Sequence, residues 1–307
     1  MSSNVLFDAP GPRARRLYAA VGVTSIVALL LILWFVIVKL NEKGQLTAAK
    51  WEPFLTGEIW TAYLLPGLAG TLKAAAISVV FALTLGVLLG VGRLSAAAWI
   101  RWPCSVVVEF FRAVPVLLMM LFTYALYGYY ELFPAAQVPL AAVVTGLTLY
   151  NGSVVAELVR SGVYSLPKGQ REAALAVGLT TSKTMRLVLL PQAITAMLPA
   201  IVGQLVVILK DTALGYIITY EELLRKAEQI GNYKSNLLPA LIFVGALYVI
   251  INYFVGLSAN KLEQLTRRRG RSAAGPIAPD QLDRAAVVTA SAAADPGQGG
   301  QGGAGGF

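Results

Sequence analysis

A chain of 307 residues with 57% apolar and only 13% charged side chains carries about half the roughly 25% charge of a soluble domain. That excludes an ordinary water-soluble globule and places the chain among membrane proteins. The net charge of +9 is no sign of nucleic acid, because the basic residues gather at the ends of apolar runs, as orientation signals do. Histidine is absent and Cys104 is the only cysteine. The usual general base, the commonest zinc ligand and any internal disulfide are therefore missing, and hydrolytic or metal chemistry is not expected.

A helix needs about 20 mostly apolar residues to cross a ~30 Å hydrocarbon core. The first such run covers residues 17–38, just after Arg13, Arg15 and Arg16. A cleaved signal has a shorter apolar stretch and a small-residue cleavage pattern, so this run reads as a retained span. The others cover residues 65–91, 104–127, 138–159, 188–209 and 237–257, which predicts six transmembrane helices. Alternate counting puts Arg93, Arg101, Lys168, Arg171, Lys183, Arg186, Lys261 and Arg267 on the side of the N-terminal arginines. It leaves Lys43, Lys50, Arg225, Lys226 and Lys234 on the other side. That asymmetry predicts both termini in the cytoplasm, with Trp51 and Trp60 in an outer interfacial segment and Trp99 and Trp102 at the inner boundary. From Ser272 the chain is rich in Ala, Gly and Pro, which reads as a disordered cytoplasmic tail.

The inner loop between the fourth and fifth spans has its own grammar. Pro167 suits a helix start, Glu172, Ala173, Ala174, Leu175 and Ala176 favour helix, and Gly178 permits the left-handed turn that ends one. Thr181 and Ser182 can cap a second helix that leads through Arg186 to Leu190 and Pro191. Such a projecting helix-turn-helix suits docking into another protein. An amphipathic helix lying on lipid headgroups fits the same pattern.

The string Glu172-Ala173-Ala174, three residues, Gly178, nine residues, then Val188-x-Leu190-Pro191 resembles the EAA loop of ABC importer permeases. Valine stands at 188 where isoleucine is usual. Gly70-Thr71-Leu72-Lys73, Phe111-Arg112-Ala113-Val114-Pro115, Ala156 through Gly162, Lys168-Gly169-Gln170, Leu190-Pro191-Gln192-Ala193 and Lys210-Asp211-Thr212-Ala213-Leu214 resemble the polar amino-acid branch of that family. The extra first span and Tyr150-Asn151-Gly152-Ser153 resemble its glutamate permeases. The resemblance implies that Glu172, Ala173, Ala174, Gly178 and Pro191 couple the chain to an ATPase. It also implies partnership with an ATP-binding subunit dimer, a second permease subunit and an extracytoplasmic solute-binding protein.

Ionisable residues inside spans are functional candidates by default. Glu109 and Arg112, and likewise Glu157 and Arg160, stand three apart and so share a helix face. They suit either an ion-paired clamp near the inner surface or charges offered to a solute. Lys210-Asp211-Thr212 closes the fifth span, where it either marks the lipid interface or serves a solute. With a broken or ending helix, for which Pro199 and Gly203 offer a cause, Lys210 would take a substrate carboxylate, Asp211 the α-ammonium and Thr212 a further hydrogen bond. Glutamate's additional negative charge would suit Arg112 or Arg160, and Glu157 would suit a cationic solute. The segment 220–227 reads as an outer helix, either an ordinary connector or a seat for a binding protein. No Gly-x-x-x-x-Gly-Lys-[Ser/Thr] phosphate loop occurs, so ATP and magnesium would belong to the partner ATPase.

The expected protein is thus an all-α membrane permease subunit of the bacterial inner membrane, a non-enzymatic translocation subunit of an ATP-driven importer for polar amino acids, L-glutamate first. Its parts are an N-terminal region at 1–64, a permease core at 65–260 with the loop at 168–191, and a basic then low-complexity tail at 261–307. The rival reading is an ion-coupled secondary transporter or channel that works without an ATPase. Such proteins often carry inverted repeats and paired broken helices.

Overall fold

The computed structural model describes residues 11–273, and among them every regular element is helical. Five helices are long and apolar enough to cross a bilayer, and one sharply bent pair supplies a sixth crossing if it counts as one span. The low-complexity tail from 274 onward lies outside the described residues. The described residues divide into two units, 11–257 and 258–273.

Helix α1 (Pro12–Glu42) starts on a proline in its first turn and buries no residue. At 1.5 Å per residue it rises about 47 Å, longer than its apolar run because the arginine-rich start is helical too. The helix is apolar on all sides, as a lipid-facing span should be. The next segment is more than an interfacial ribbon. Short helical turns between Ala48 and Leu64 bury Phe54, Ile59 and Leu64. The Trp51 and Trp60 indoles are partly buried and donate to the carbonyls of Gln45 and Phe54 at 2.9 and 2.8 Å.

Two helices form the centre of the packed body. Helix α2 (Leu65–Arg93) buries Thr71, Ala74, Ala75, Ser78, Ala82, Gly86, Gly90 and Arg93, a stripe of mostly small residues at helical spacing. Such a stripe lets backbones approach closely where lipid supplies no hydrophobic drive between helices. Helices α3 (Ala98–Ala113) and α4 (Val116–Tyr129) follow, and then α5 (Val138–Tyr164) lies along the α2 stripe. A Cβ on Gly86 would stand 2.5 Å from Val155, and one on Gly90 2.9 Å from Val159. Numbers rise together along both helices, so α2 and α5 run parallel.

The third span departs from a single helix: α3 and α4 meet at 101°. Val114 precedes Pro115, and a residue before proline is driven out of the α region. Val114 accordingly sits at φ −82°, ψ 127°. On α3, Trp99, Trp102, Val106 and Phe110 are exposed and share one face at helical spacing, while Val108 is buried.

Helix α6 (Lys168–Ala176) leads to a continuous helical run from Thr181 to Ile218. The run opens with Thr181–Thr184, passes a wide turn at Met185–Leu189, continues as α7 (Leu190–Asp211) and tightens to a 3₁₀ segment at Thr212–Ile218. The second helix of the inner loop therefore does not stop at Pro191 but is the start of the fifth span, since Pro191 occupies its first turn, where no amide donor is needed. Its cap is Thr180 rather than Thr181 or Ser182, with the Lys183 amide donating to Thr180 Oγ1 at 3.4 Å. Pro199 lies inside α7 without ending it. Helix α8 (Leu223–Lys234) then packs Leu223, Ala227 and Ile230 against Phe54, Ile59, Leu64, Ala240 and Val244. The last helix, α9 (Leu237–Ala273), carries the sixth span in its first part, Leu237–Ser258.

Candidate functional site

The inner loop folds as its sequence requires. Gly178 takes φ +85°, a left-handed conformation that costs glycine nothing. Its amide donates to the Leu175 carbonyl at 3.0 Å, and the Leu179 amide donates to the Ala174 carbonyl at 3.2 Å. These two bonds make the paired C-terminal cap that closes a helix through a glycine. Glu172, Ala173 and Pro191 are exposed, as is Val177 at 78%, while Ala174 is buried. The element presents one apolar-edged face outward and is anchored to the α7 start by Gln192, which donates to Gln170 at 3.3 Å.

At the same end of the bundle, the charges on α2, α3 and α5 close into one cluster. Arg93 Nη1 donates to Glu157 Oε2 at 2.6 Å and Nη2 to Glu109 Oε1 at 2.8 Å. Arg112 reaches the same Glu157 oxygen at 3.3 Å, and Arg160 donates to Glu157 Oε1 at 3.0 Å. Arg112, Glu157 and Arg160 are thus brought together with Glu157 at their centre, and Arg93, which the Lys/Arg count reads as an orientation signal, ties Glu157 to Glu109. The spacing Gly86, Gly90, Arg93 continues the small-residue stripe of α2 and places Arg93 on its buried face; that was the available signal. Its side chain is only 6% exposed, against 38% for Arg112 and 37% for Arg160.

Lys210, Asp211 and Thr212 lie at the opposite end of α7, and the break that frees them falls at Asp211, where α gives way to 3₁₀, not at Pro199 or Gly203. Lys210 is exposed and Asp211 partly buried, whereas Thr212 is fully buried and its hydroxyl donates inward to the Leu209 carbonyl at 2.7 Å. Between the two groups of charges, Gln204 on α7 donates to Asn151 Oδ1 on α5. Lys210 stands six residues beyond Gln204, and Glu157 six beyond Asn151 on the antiparallel neighbour. At 1.5 Å per residue the two charged groups are separated by about 18 Å along the bundle, so one amino acid does not touch both at once.

A further buried acid appears at the corner where α8 begins. Glu222 is fully buried and caps α8, accepting from the amides of Leu224 and Arg225 at 2.7 and 2.6 Å and from the Tyr248 hydroxyl at 2.6 Å. Thr71 accepts the Leu223 amide at 3.1 Å, and Tyr220 donates to the Gly70 carbonyl at 2.8 Å. Gly70 is required here, because a Cβ would stand 2.2 Å from the Glu221 carbonyl. The segment 220–227 is therefore a packed corner on α2, with Glu221 its exposed acid.

Burial pushes the Glu222 pKa above the ordinary 4.5, against the donors that converge on it. Burial and the nearby Glu222 charge push the Tyr220 phenol up to about 12. Between 4.5 and the higher folded value, the folded protein holds the Glu222 proton more tightly than the unfolded chain does. This contribution to stability is complete below 4.5 and is lost as pH rises through the folded pKa. Glu222→Gln is expected to flatten that slope when thermal unfolding is followed from about pH 4 to 8.

Residues 82–268 match the family described as binding-protein-dependent transport system inner membrane component. A glutamate transport system permease protein of Corynebacterium glutamicum is 47% identical over 80% of this chain and 90% of that one. A glutamate/aspartate import permease protein of Escherichia coli O6:H1 is 32% identical over 67% of this chain and 93% of that one. Among solved structures, an amino acid ABC transporter crystallised with histidines superposes with a TM-score of 0.60 at 29% identity, covering 68% of this chain and 95% of that one. An inward-facing methionine ABC transporter shares the fold, with a TM-score of 0.57 at 24% identity. The chain thus belongs to the binding-protein-dependent inner-membrane transport components, as a translocation subunit of an ABC importer rather than an enzyme.

Proposed function

We propose that this multi-pass inner-membrane subunit imports L-glutamate, driven by ATP hydrolysis on a partner ATPase dimer that holds the nucleotide and magnesium. The observation that carries the substrate assignment is the 47% identity to a glutamate permease across nine-tenths of that protein. The second permease is a similar or identical chain, and a binding protein delivers solute from outside. Both termini are cytoplasmic, as the distribution of Lys and Arg between short loops favours. This puts α6 on the ATPase side and Lys210 on the outer side. Glu172, Ala173 and Ala174 seat in the ATPase, Gly178 sets the angle of the turn, and Pro191 starts the span that receives the push.

Lys210 and Asp211 meet the carboxylate and ammonium of the incoming amino acid, while Thr212 pins the helix end that presents them. At the inner end, Arg112 and Arg160 keep more than a third of their surface exposed around Glu157 and offer cations to a leaving glutamate. Labelled glutamate uptake into vesicles, with and without the ATPase and with glutamine, aspartate and arginine as competitors, tests this reading. ATPase-dependent uptake blocked chiefly by glutamate is expected. Blocking by arginine or glutamine instead would discard the substrate, and uptake indifferent to the ATPase would overturn the mechanism.

A further inference from the structure

The helix before the bend, α3 (Ala98–Ala113), stays at nearly one depth along the bundle. A Cβ on Gly92 would stand 2.5 Å from Cys104 Sγ and 3.8 Å from Ile100. Arg93 donates to Glu109 at 2.8 Å, and Arg112 reaches Glu157 at 3.3 Å. Cys104 and Arg112 are eight residues apart, about 12 Å of helix rise. Their partners hardly advance, because Gly90 faces Ala156 and Val159 and so is level with Glu157, and Gly90 to Arg93 rises about 5 Å. A crossing helix would have carried Arg112 back to about position 84 of α2. Helix α4 does travel: Met120 packs on Gly146, and Thr123 donates to the Ala142 carbonyl at 3.4 Å. With 101° between the two, α4 crosses the membrane and α3 lies across the end of the bundle that carries α6.

The side chains of α3 sort into three stripes at helical spacing. Ile100, Cys104, Val108 and Phe111 are partly or wholly buried. Arg101, Ser105, Glu109 and Arg112 form a polar stripe, in which Arg101 donates to the Ser95 and Ala96 carbonyls at 3.0 and 3.3 Å. Trp99, Trp102, Val106 and Phe110 form the third, with the two indoles 79% and 72% exposed. A two-sided helix would suit protein and water alone. Three sides match three surroundings, and the third is apolar. Indole rings favour the boundary between membrane and water. A helix with segregated polar and apolar faces lies in that plane, its apolar face about 5–10 Å into the boundary between headgroups and acyl chains.

We propose that α3 is a membrane-surface anchor, with Trp99, Trp102, Val106 and Phe110 seated among phospholipid acyl chains just beneath the headgroups of the leaflet on the α6 side. The polar stripe faces water, and the buried stripe holds α2. A helix seated this way fixes the height at which Glu109 and Arg112 meet Arg93 and Glu157. The identity of the transported solute does not enter.

The test uses the complete importer in proteoliposomes, with cysteine-free partner subunits and Cys104→Ser as the background. Nitroxide labels are placed one at a time through Trp99→Cys, Trp102→Cys, Val106→Cys and Phe110→Cys, and their depth is read from relaxation by oxygen and by a nickel chelate. All four are expected to be oxygen-accessible, at depths that agree to about 5 Å, one turn of helix rise. A spanning helix would separate the first from the last by about 17 Å and would overturn the anchor. Labels shielded from both reagents would put a second copy or another protein on this face, and labels relaxed chiefly by nickel would put it in water; either result overturns the proposal. Tryptophan fluorescence checks the same point without labels, in a Trp34→Phe chain compared with one that also carries Trp99→Phe and Trp102→Phe. Phospholipid brominated near the headgroup is expected to quench the difference signal about twofold more than phospholipid brominated near the chain end, as interfacial indoles require. Equal quenching by the two lipids, or none, would overturn the placement.

Discussion

Gly178→Pro is expected to abolish ATP-driven uptake, at least tenfold below the unmodified importer, while the spans remain folded. Gly178 sits at φ +85°, and proline is fixed near φ −65°, so the turn after α6 must re-aim. The same change deletes the amide that donates to Leu175 at 3.0 Å. A Cβ at 178 has open space around it, so for Asn and Ala the backbone angle decides the outcome, and for proline the lost amide adds to it. Gly178→Asn, which tolerates the left-handed region, should therefore keep most activity, and Gly178→Ala should fall between, at a cost of about 1 kcal/mol. Co-purification of the ATPase with each variant, read beside uptake, checks the order Gly, Asn, Ala, Pro. A proline variant that retains both association and uptake would show that α6 does not carry the coupling.

Arg93→Met has the second large expected effect. Arg93 is almost wholly buried and holds two carboxylates, Glu157 at 2.6 Å and Glu109 at 2.8 Å. Breaking a buried ion pair from one side costs about 3–5 kcal/mol. The lower end applies here, because the Glu157 and Glu109 side chains are 23% and 60% exposed. A clear fall in melting temperature is expected for the single variant. The double variant Arg93→Met with Glu157→Met should recover much of it, since a shared cluster produces coupling of about 0.5–3 kcal/mol in such a cycle. Strictly additive losses would mean that the cluster is an accident of proximity rather than the tie between α2 and α5.

The spans were legible because lipid imposes a length and a composition that soluble packing does not. The loop was legible because Gly178 and its neighbours obey local cap rules. Residues 104–127 misled as a single run: apolarity reads continuously across Val114-Pro115, and only the backbone restriction before proline marks the 101° bend. Of the broken or ending helix that Lys210-Asp211 calls for, the structure has the ending one: the flanking turns carry Pro199 and Gly203 through, and the helix tightens only after Asp211. Arg93 and Glu222 escaped notice for a shared reason. A charge near a span end usually faces water, and only tertiary contact turns one into a three-helix tie and the other into a buried helix cap. Gln204 is invisible for the opposite reason, since an uncharged amide does not interrupt an apolar run enough to be noticed.

The bend in the third crossing also affects the lipid. Helix α4 has 14 residues and rises only about 21 Å, some 9 Å short of a ~30 Å hydrocarbon core, while the apolar run of α1, residues 17–38, rises about 33 Å and matches it. Where α4 faces lipid, the bilayer thins to meet it, at fractions of a kcal/mol for each ångström of mismatch. The perimeter of this protein is therefore uneven as a solvent boundary. Membrane thickness becomes a variable that acts on the α4 side and leaves the α1 side nearly indifferent, favouring α4 in thin bilayers.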